Sequence, residues 1–147
     1  MKELKTVEKL LNNKGYSCVI SDGNEMVYTS KEKGIKPLME FYKSSFLRSG
    51  TFFVADKIIG KGAAFLLVLL PVKGLYTPVI SESALKLLYK YSMAVKYDKI
   101  VPFIKNRTGE GRCPIESAVI DEEDPGKALD KIHQALEALK QDIKDNR

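Results

Sequence analysis

The chain has 147 residues, a net charge of +5, 44% hydrophobic and 29% charged residues, and two cysteines. That length fits one domain that buries roughly two thirds of the surface its unfolded form exposes, so neither disulfides nor metal is needed to hold it together. The longest uncharged apolar run, Gly62 to Val72, falls short of the roughly 20 residues of a membrane span, and Met1 to Gly15 mixes acids and lysines with its apolar residues, unlike a signal peptide.

The positive charge is spread over lysines, with local enrichment at Lys31, Lys33 and Lys36, an acidic counterweight at Asp121 to Asp124, and only four scattered Arg. Nucleic-acid binders concentrate charge and interleave it with Arg or aromatics, so this pattern argues against a nucleic-acid partner. It is compatible with a basic rim around an anionic small molecule. Cys18 and Cys113 form no CxxC pair, and the reading is of a cytoplasmic protein with reduced thiols.

Leu4, Val7, Leu10 and Leu11 recur at helical spacing before Gly15, which predicts an amphipathic helix over residues 2–14. Residues 16–20 and 25–29 flank Ser21-Asp22-Gly23-Asn24, a hairpin signal because Asp-Gly supplies the positive φ of a tight turn. Cys18 then lies in a strand, as a small buried hydrophobe. A charged connection leads to a helix opening near Lys36-Pro37, where Pro costs little. Leu38, Phe41, Tyr42 and Phe46 line one side of it, Arg48-Ser49-Gly50 ends it, and residues 51–54 read as a short strand.

Residues 54–70 form the most apolar stretch and read as a central buried helix from about Asp56 to Leu70. Asp56 is its expected N-cap and Pro71 its stop. Gly60 and Gly62 inside a helix cost about 1 kcal/mol each relative to Ala. Close approach of a backbone or a ligand would offset that cost, as would packing against a sheet. Lys61, between them, is expected one turn above the helix start.

Residues 74–81 read as a strand that Pro78 assigns to an edge position or to the sheet's irregular end. Ser81 caps a helix over 82–91, and a strand over 93–97 follows. This alternation implies parallel crossovers, hence an α/β fold with a mixed sheet and helices packed on it. The polar loop 105–112 leads to Cys113-Pro114, with Pro114 opening a short helix and Cys113 at its cap. Asp124-Pro125 then opens a terminal helix at about 125–144, in which Leu129, Ile132, Leu136, Leu139 and Ile143 keep 3-4 spacing. It is read as a packing helix or a partner-binding stripe, with His133 beside the stripe.

Two motifs carry possible chemistry. Gly60-Lys61 departs from the phosphate-loop pattern, which needs Gly at Ala55 and Ser or Thr at Gly62. What survives is an anion at the start of the central helix, drawn by free N–H groups, Lys57 and Lys61. In the polar segment, Asn106, Arg107, Cys113 and Glu116 bring an amide, a guanidinium, a thiol and a carboxylate together. Cys113 and Glu116 would hold a nucleophile and a proton acceptor one turn apart, or else form a capped turn with Glu116 stabilising the helix start and Arg107 solvated. No Ser elbow accompanies the single His, and no zinc ligand set clusters in sequence.

Residues 30–38, 55–64 (Ala-Asp-Lys-Ile-Ile-Gly-Lys-Gly-Ala-Ala) and 106–116 (Asn-Arg-Thr-Gly-Glu-Gly-Arg-Cys-Pro-Ile-Glu) together resemble the bacterial family called domain of unknown function 1893, from about Leu10 to Pro125. That family is similar in fold to the cytidine deaminases. The resemblance implies a three-layer α/β domain spanning 1–147, with a mixed sheet of about five strands and helices on both faces. It does not carry the activity over. Deaminases need a His or Cys zinc ligand, a Glu two residues on, and a later PCxxC, whereas the two site helices here would open with Asp56 to Lys61 and Ser81 to Ala84.

Three functions are carried forward. The first is a zinc-free domain that binds a small anionic ligand such as a nucleoside or nucleotide, through Asp56, Lys57, Gly60, Lys61, Asn106 and Arg107, without metal or cofactor. The second is a metal-independent enzyme with Cys113 as nucleophile and Glu116 or Lys61 as proton acceptor. The third is a structural or interaction module, a homo-oligomer through sheet-edge or helix contacts.

Overall fold

The computed structural model describes residues 2–44 and 50–145, the last three by backbone alone. Phe46, Arg48 and Ser49, and the side chain of Ile143, lie outside that description. The elements are α1 (Lys2–Lys14), β1 (Cys18–Ser21), β2 (Met26–Ser30), α2 (Lys36–Lys43), β3 (Phe52–Asp56), β4 (Ile58–Ile59), α3 (Lys61–Leu69), β5 (Val72–Ser81), α4 (Glu82–Lys90), β6 (Ala94–Val101), α5 (Pro114–Ala118) and α6 (Pro125–Asp145).

The strands form one mixed sheet. β1 pairs antiparallel with β2 and β3, while β3, β4 and β6 each run parallel to β5. Gly74, Leu75 and Tyr76 are partnered by both β3 and β6, and Val79 and Ile80 by both β4 and β6. So β3 and β4 share one edge of β5, and β6 takes the other and ends the sheet. Strand residues alternate between faces, and the core divides accordingly. Leu4, Val7 and Leu11 of α1 cover Val19, Phe53, Ala55 and Tyr76 on one face, while Cys18, Ile20, Val54 and Leu75 face the helices on the other. The fold is α/β with helices on both faces, as the alternation of elements implied.

The expected central helix exists, and α3 is buried from Lys61 to Leu67. It is apolar on every side because α2, α4, α5 and α6 surround it, and an all-round apolar helix belongs inside. Its start differs from the expectation. Asp56 is still in β3, opposite Cys18 of β1, and the β-branched pair Ile58-Ile59 runs on as β4 beside Val79 and Ile80. The helix begins only at Lys61, with Gly60 as N-cap, so Asp56 caps nothing and Lys61 sits in the first turn.

Of the two places expected for Pro78 the edge is not the one observed, because β5 is interior; Pro78 lies at an irregularity of the sheet. The β3 ladder stops at Tyr76 and the β4 ladder starts at Val79, so Pro78 fills the seam between them, where a missing N–H breaks no bond on that side. β5 begins at Val72 and β6 runs on to Val101; parallel pairing with β5 holds both extended beyond their apolar centres. Ser81 does cap α4, accepting from the Ala84 N–H at 3.2 Å. Asp124 caps α6 through the Lys127 N–H at 2.8 Å.

Candidate functional site

The starts of α3 and α4 converge on one side chain, Glu116 of α5, which is 4% exposed. Its Oε2 accepts from the Lys61 N–H at 2.7 Å and from the Ser81 hydroxyl at 2.5 Å, with the Ser83 hydroxyl at 3.4 Å. Its Oε1 accepts from the Ile104 N–H at 2.8 Å. A helix start has unpaired N–H groups and a partial positive charge, so a carboxylate is a favourable partner there. The place that the sequence reserved for an anionic ligand holds the protein's own anion.

The two glycines follow from this contact. Gly60 has an extended backbone, φ −97°, which any residue adopts, so what it supplies is space. A Cβ at Gly60 would lie 2.9 Å from Glu116 Oε2 and 2.9 Å from Ile104 Cγ1, and one at Gly62 would lie 2.7 Å from Ile115 Cγ2. What comes closest to these glycines is neither a backbone nor a sheet but the protein's own side chains, Ile104 and Glu116 at Gly60 and Ile115 at Gly62.

Lys61 is drawn into the same clasp. Its side chain is 6% exposed, and its ammonium donates to the Ile120 carbonyl at 2.7 Å and lies 3.8 Å from Glu123 and 5.7 Å from the centre of the Phe65 ring. Glu123 also meets Lys90 at 3.7 Å. Its neighbour Glu122 is held down to about 2 by hydrogen bonds from Lys131, Asp124 N–H and Glu123 N–H. The acidic run after α5 therefore anchors α5 to α3 and α6.

The remaining expected site residues are dispersed. Asn106 organises its own loop, with Oδ1 accepting from the Thr108 hydroxyl at 2.9 Å and the Gly111 N–H at 3.2 Å. Arg107 and Lys57 are exposed, while Arg112 stacks 4.2 Å from the centre of the Phe103 ring. Cys113 is the N-cap of α5, but its side chain makes no capping hydrogen bond, and among the described residues none joins it to Glu116. Cys113 and Glu116 are one turn apart, yet the carboxylate is committed to α3 and α4.

Asp56 has a different setting from either role foreseen for it. It is 5% exposed and accepts from the Ile58 N–H at 3.3 Å and from the Cys18 thiol across the β1–β3 pair. Burial pushes its carboxyl up to about 7, against the opposing pull of hydrogen bonds from Ile58, Cys18 and Lys57. Burial, and then the Asp56 charge, push the Cys18 thiol well above its ordinary value. The pair is a buried thiol and acid, Cys18 at 0% and Asp56 at 5% exposure. Among the described residues, no group of three His, Cys, Asp or Glu side chains would hold a metal ion.

Sequence reasoning missed the partners rather than the players. Ser81 was legible as a helix cap, but its second bond to Glu116 was not, and Ile104, Ile120 and Glu123 carried no local signal. Taken together, the fold and site define an α/β domain with a mixed sheet whose two central helix starts are tied by an internal carboxylate.

A family model described as TM1506, domain of unknown function (DUF1893), matches residues 6–136. The chain belongs to that family. It is similar to the crystal structure of a DUF1893 family protein, TM1506, from Thermotoga maritima, at 30% sequence identity and a TM-score of 0.82, over 93% of this chain and 90% of that one. A comparison with curated proteins finds no match. No helix among the described residues is long and apolar enough to cross a membrane.

Proposed function

We propose that this protein is a non-catalytic interaction module on a scaffold similar to that of the cytidine deaminases, working in the cytoplasm without metal or cofactor. The observation that carries this reading is the position of Glu116. The carboxylate fills the junction of the α3 and α4 helix starts and takes four donors there. A nucleotide phosphate would have to expel it and replace every one of those bonds. The Lys61 ammonium, which an anionic ligand would recruit, is spent on Ile120 and Glu123.

A second reading keeps the small anionic ligand, a nucleoside or nucleotide, and is favoured by one observation: two helix starts that hold a carboxylate have the chemistry to hold a phosphate. A thermal-shift screen with nucleobases, nucleosides, nucleotides and inorganic phosphate separates the two. A compound at 100 times its dissociation constant adds about 2.7 kcal/mol. The expected result is no shift of the parent protein. A shift with one class, lost on replacing Lys57 and Arg107 by Ala, overturns the module reading in favour of the ligand.

A further inference from the structure

β6 ends the sheet, and among the described residues nothing pairs with its outer edge. An unpaired edge of this length is a template for another strand unless the fold blocks it. Tyr97 is 37% and Ile100 43% exposed. Resting on the module reading, we propose that the partner is a second copy of this chain, joined by antiparallel pairing of β6 with β6 about a twofold axis through Tyr97.

The sequence of the strand selects this register. A twofold axis perpendicular to a continuous sheet keeps each face a face, so some residue must lie opposite its own counterpart. Centring on Lys96, Asp98 or Lys99 sets like charges directly opposite, which is destabilising. Centring on Val95 or Ile100 leaves most of the strand unpaired. Centring on Tyr97 partners every residue from Ala94 to Ile100. It places Lys96 opposite Asp98 of the second copy, twice over, brings the two Tyr97 rings together, and sets exposed Ile100 against Ala94.

The geometry within one copy prepares these contacts. Lys96 and Asp98 share a face of β6, where Lys96 bonds Glu8 of α1 at 2.7 Å and Asp98 accepts from the Tyr76 hydroxyl at 2.6 Å. Each new ion pair therefore joins two side chains that are already held in place. The result is a run from Glu8 through Lys96 to Asp98 and Tyr76 of the second copy, repeated by the twofold axis.

Sedimentation or light scattering at about 100 μM, where a micromolar dissociation constant leaves nearly all protein paired, tests this directly. The parent is expected to be a dimer, Asp98→Lys a folded monomer by circular dichroism, and the exchange Lys96→Asp with Asp98→Lys a dimer again. Tyr97→Cys in a Cys113→Ser background is expected to form a disulfide-linked dimer under mild oxidation. A monomeric parent, a dimer indifferent to Asp98→Lys, or an exchange that restores nothing overturns the proposal. A monomeric parent that also shows no nucleotide shift overturns this surface alone and leaves the module reading in place.

Discussion

Asp56→Asn is the substitution that most directly probes the buried pair. Asp56 titrates at about 7 in the folded chain against 3.8 when unperturbed. Between those values the folded protein keeps a proton that the unfolded chain releases, so its stability falls as pH rises through that window and levels off above about 7. At 1.36 kcal/mol per pH unit, the fall from pH 5 to pH 8 is about 3 kcal/mol for this group alone. Asn keeps an oxygen for the Ile58 N–H and never ionises. The parent should therefore lose stability in urea titrations from pH 5 to pH 8, with the midpoint falling and the slope constant, and the Asn variant should be nearly flat and the more stable of the two at pH 8. Glu122 works in the opposite sense. Its folded value is lowered to about 2, so its contribution is present above the ordinary carboxylate range and is lost as the pH falls toward 2. That window lies below the one assayed. Equal pH slopes for parent and variant would refute the reasoning, and so would a parent whose stability rises over this interval.

Glu116→Ala removes the acceptor from Lys61, Ile104 and Ser81 at once, and its cost should be about 3 kcal/mol, read as a lowered urea midpoint; a loss below 0.5 kcal/mol would show that water replaces the carboxylate. Gly60→Ala should cost about 1–3 kcal/mol through overpacking against Glu116 and Ile104. Combined with Glu116→Ala it should cost less than the sum of the two single changes, because they share one contact; strict additivity would deny that contact. Iodoacetamide in the folded state should modify partly exposed Cys113 at the rate of an ordinary thiol and leave buried Cys18 intact until the protein unfolds. A Cys113 reacting orders of magnitude faster than a free thiol would instead support the nucleophile reading.

What was legible in the sequence was local. Helix α1, the hairpin of β1 and β2, the Ser81 cap and the terminal helix follow from periodicity and turn chemistry within a few residues. Two readings depended on strands that the local sequence does not place. Asp56 looks like a cap and Pro78 like an edge marker only while the neighbouring strands are unknown; β1 holds Asp56 extended, and the seam between β3 and β4 makes room for Pro78. Of the residues singled out in the sequence, Gly60, Lys61 and Glu116 meet in the structure, while Asp56, Lys57, Asn106 and Arg107 lie apart from them. That meeting was not legible, since the bond between the Lys61 N–H and Glu116 spans 55 positions of chain, and nothing local says whether an anion at a helix start comes from outside or from the chain itself.

Two opposite charges at one helix start explain why the motif looks like a binding site. A carboxylate there is stabilised by the helix field, while an ammonium in the first turn is opposed by it, and each costs several kcal/mol if buried without partners. α5 and the residues after it meet both demands: Glu116 faces the N–H groups of α3, and the Ile120 carbonyl and Glu123 take the Lys61 ammonium away from them. The short helix is thereby fixed to the central one at two points, with the glycines setting how close it comes. Loss of the Glu116 carboxylate strips the acceptor from the Lys61 N–H, the Ile104 N–H and the Ser81 hydroxyl. Loss of the Lys61 ammonium strips the donor from the Ile120 carbonyl and one cation from Glu123, so the two residues hold α5 to α3 through separate bonds. Cations, glycines and an acid at a helix start serve equally to hold a phosphate or to hold a helix, and in this chain Glu116 lies 2.7 Å from the Lys61 N–H while the Lys61 ammonium lies 2.7 Å from the Ile120 carbonyl.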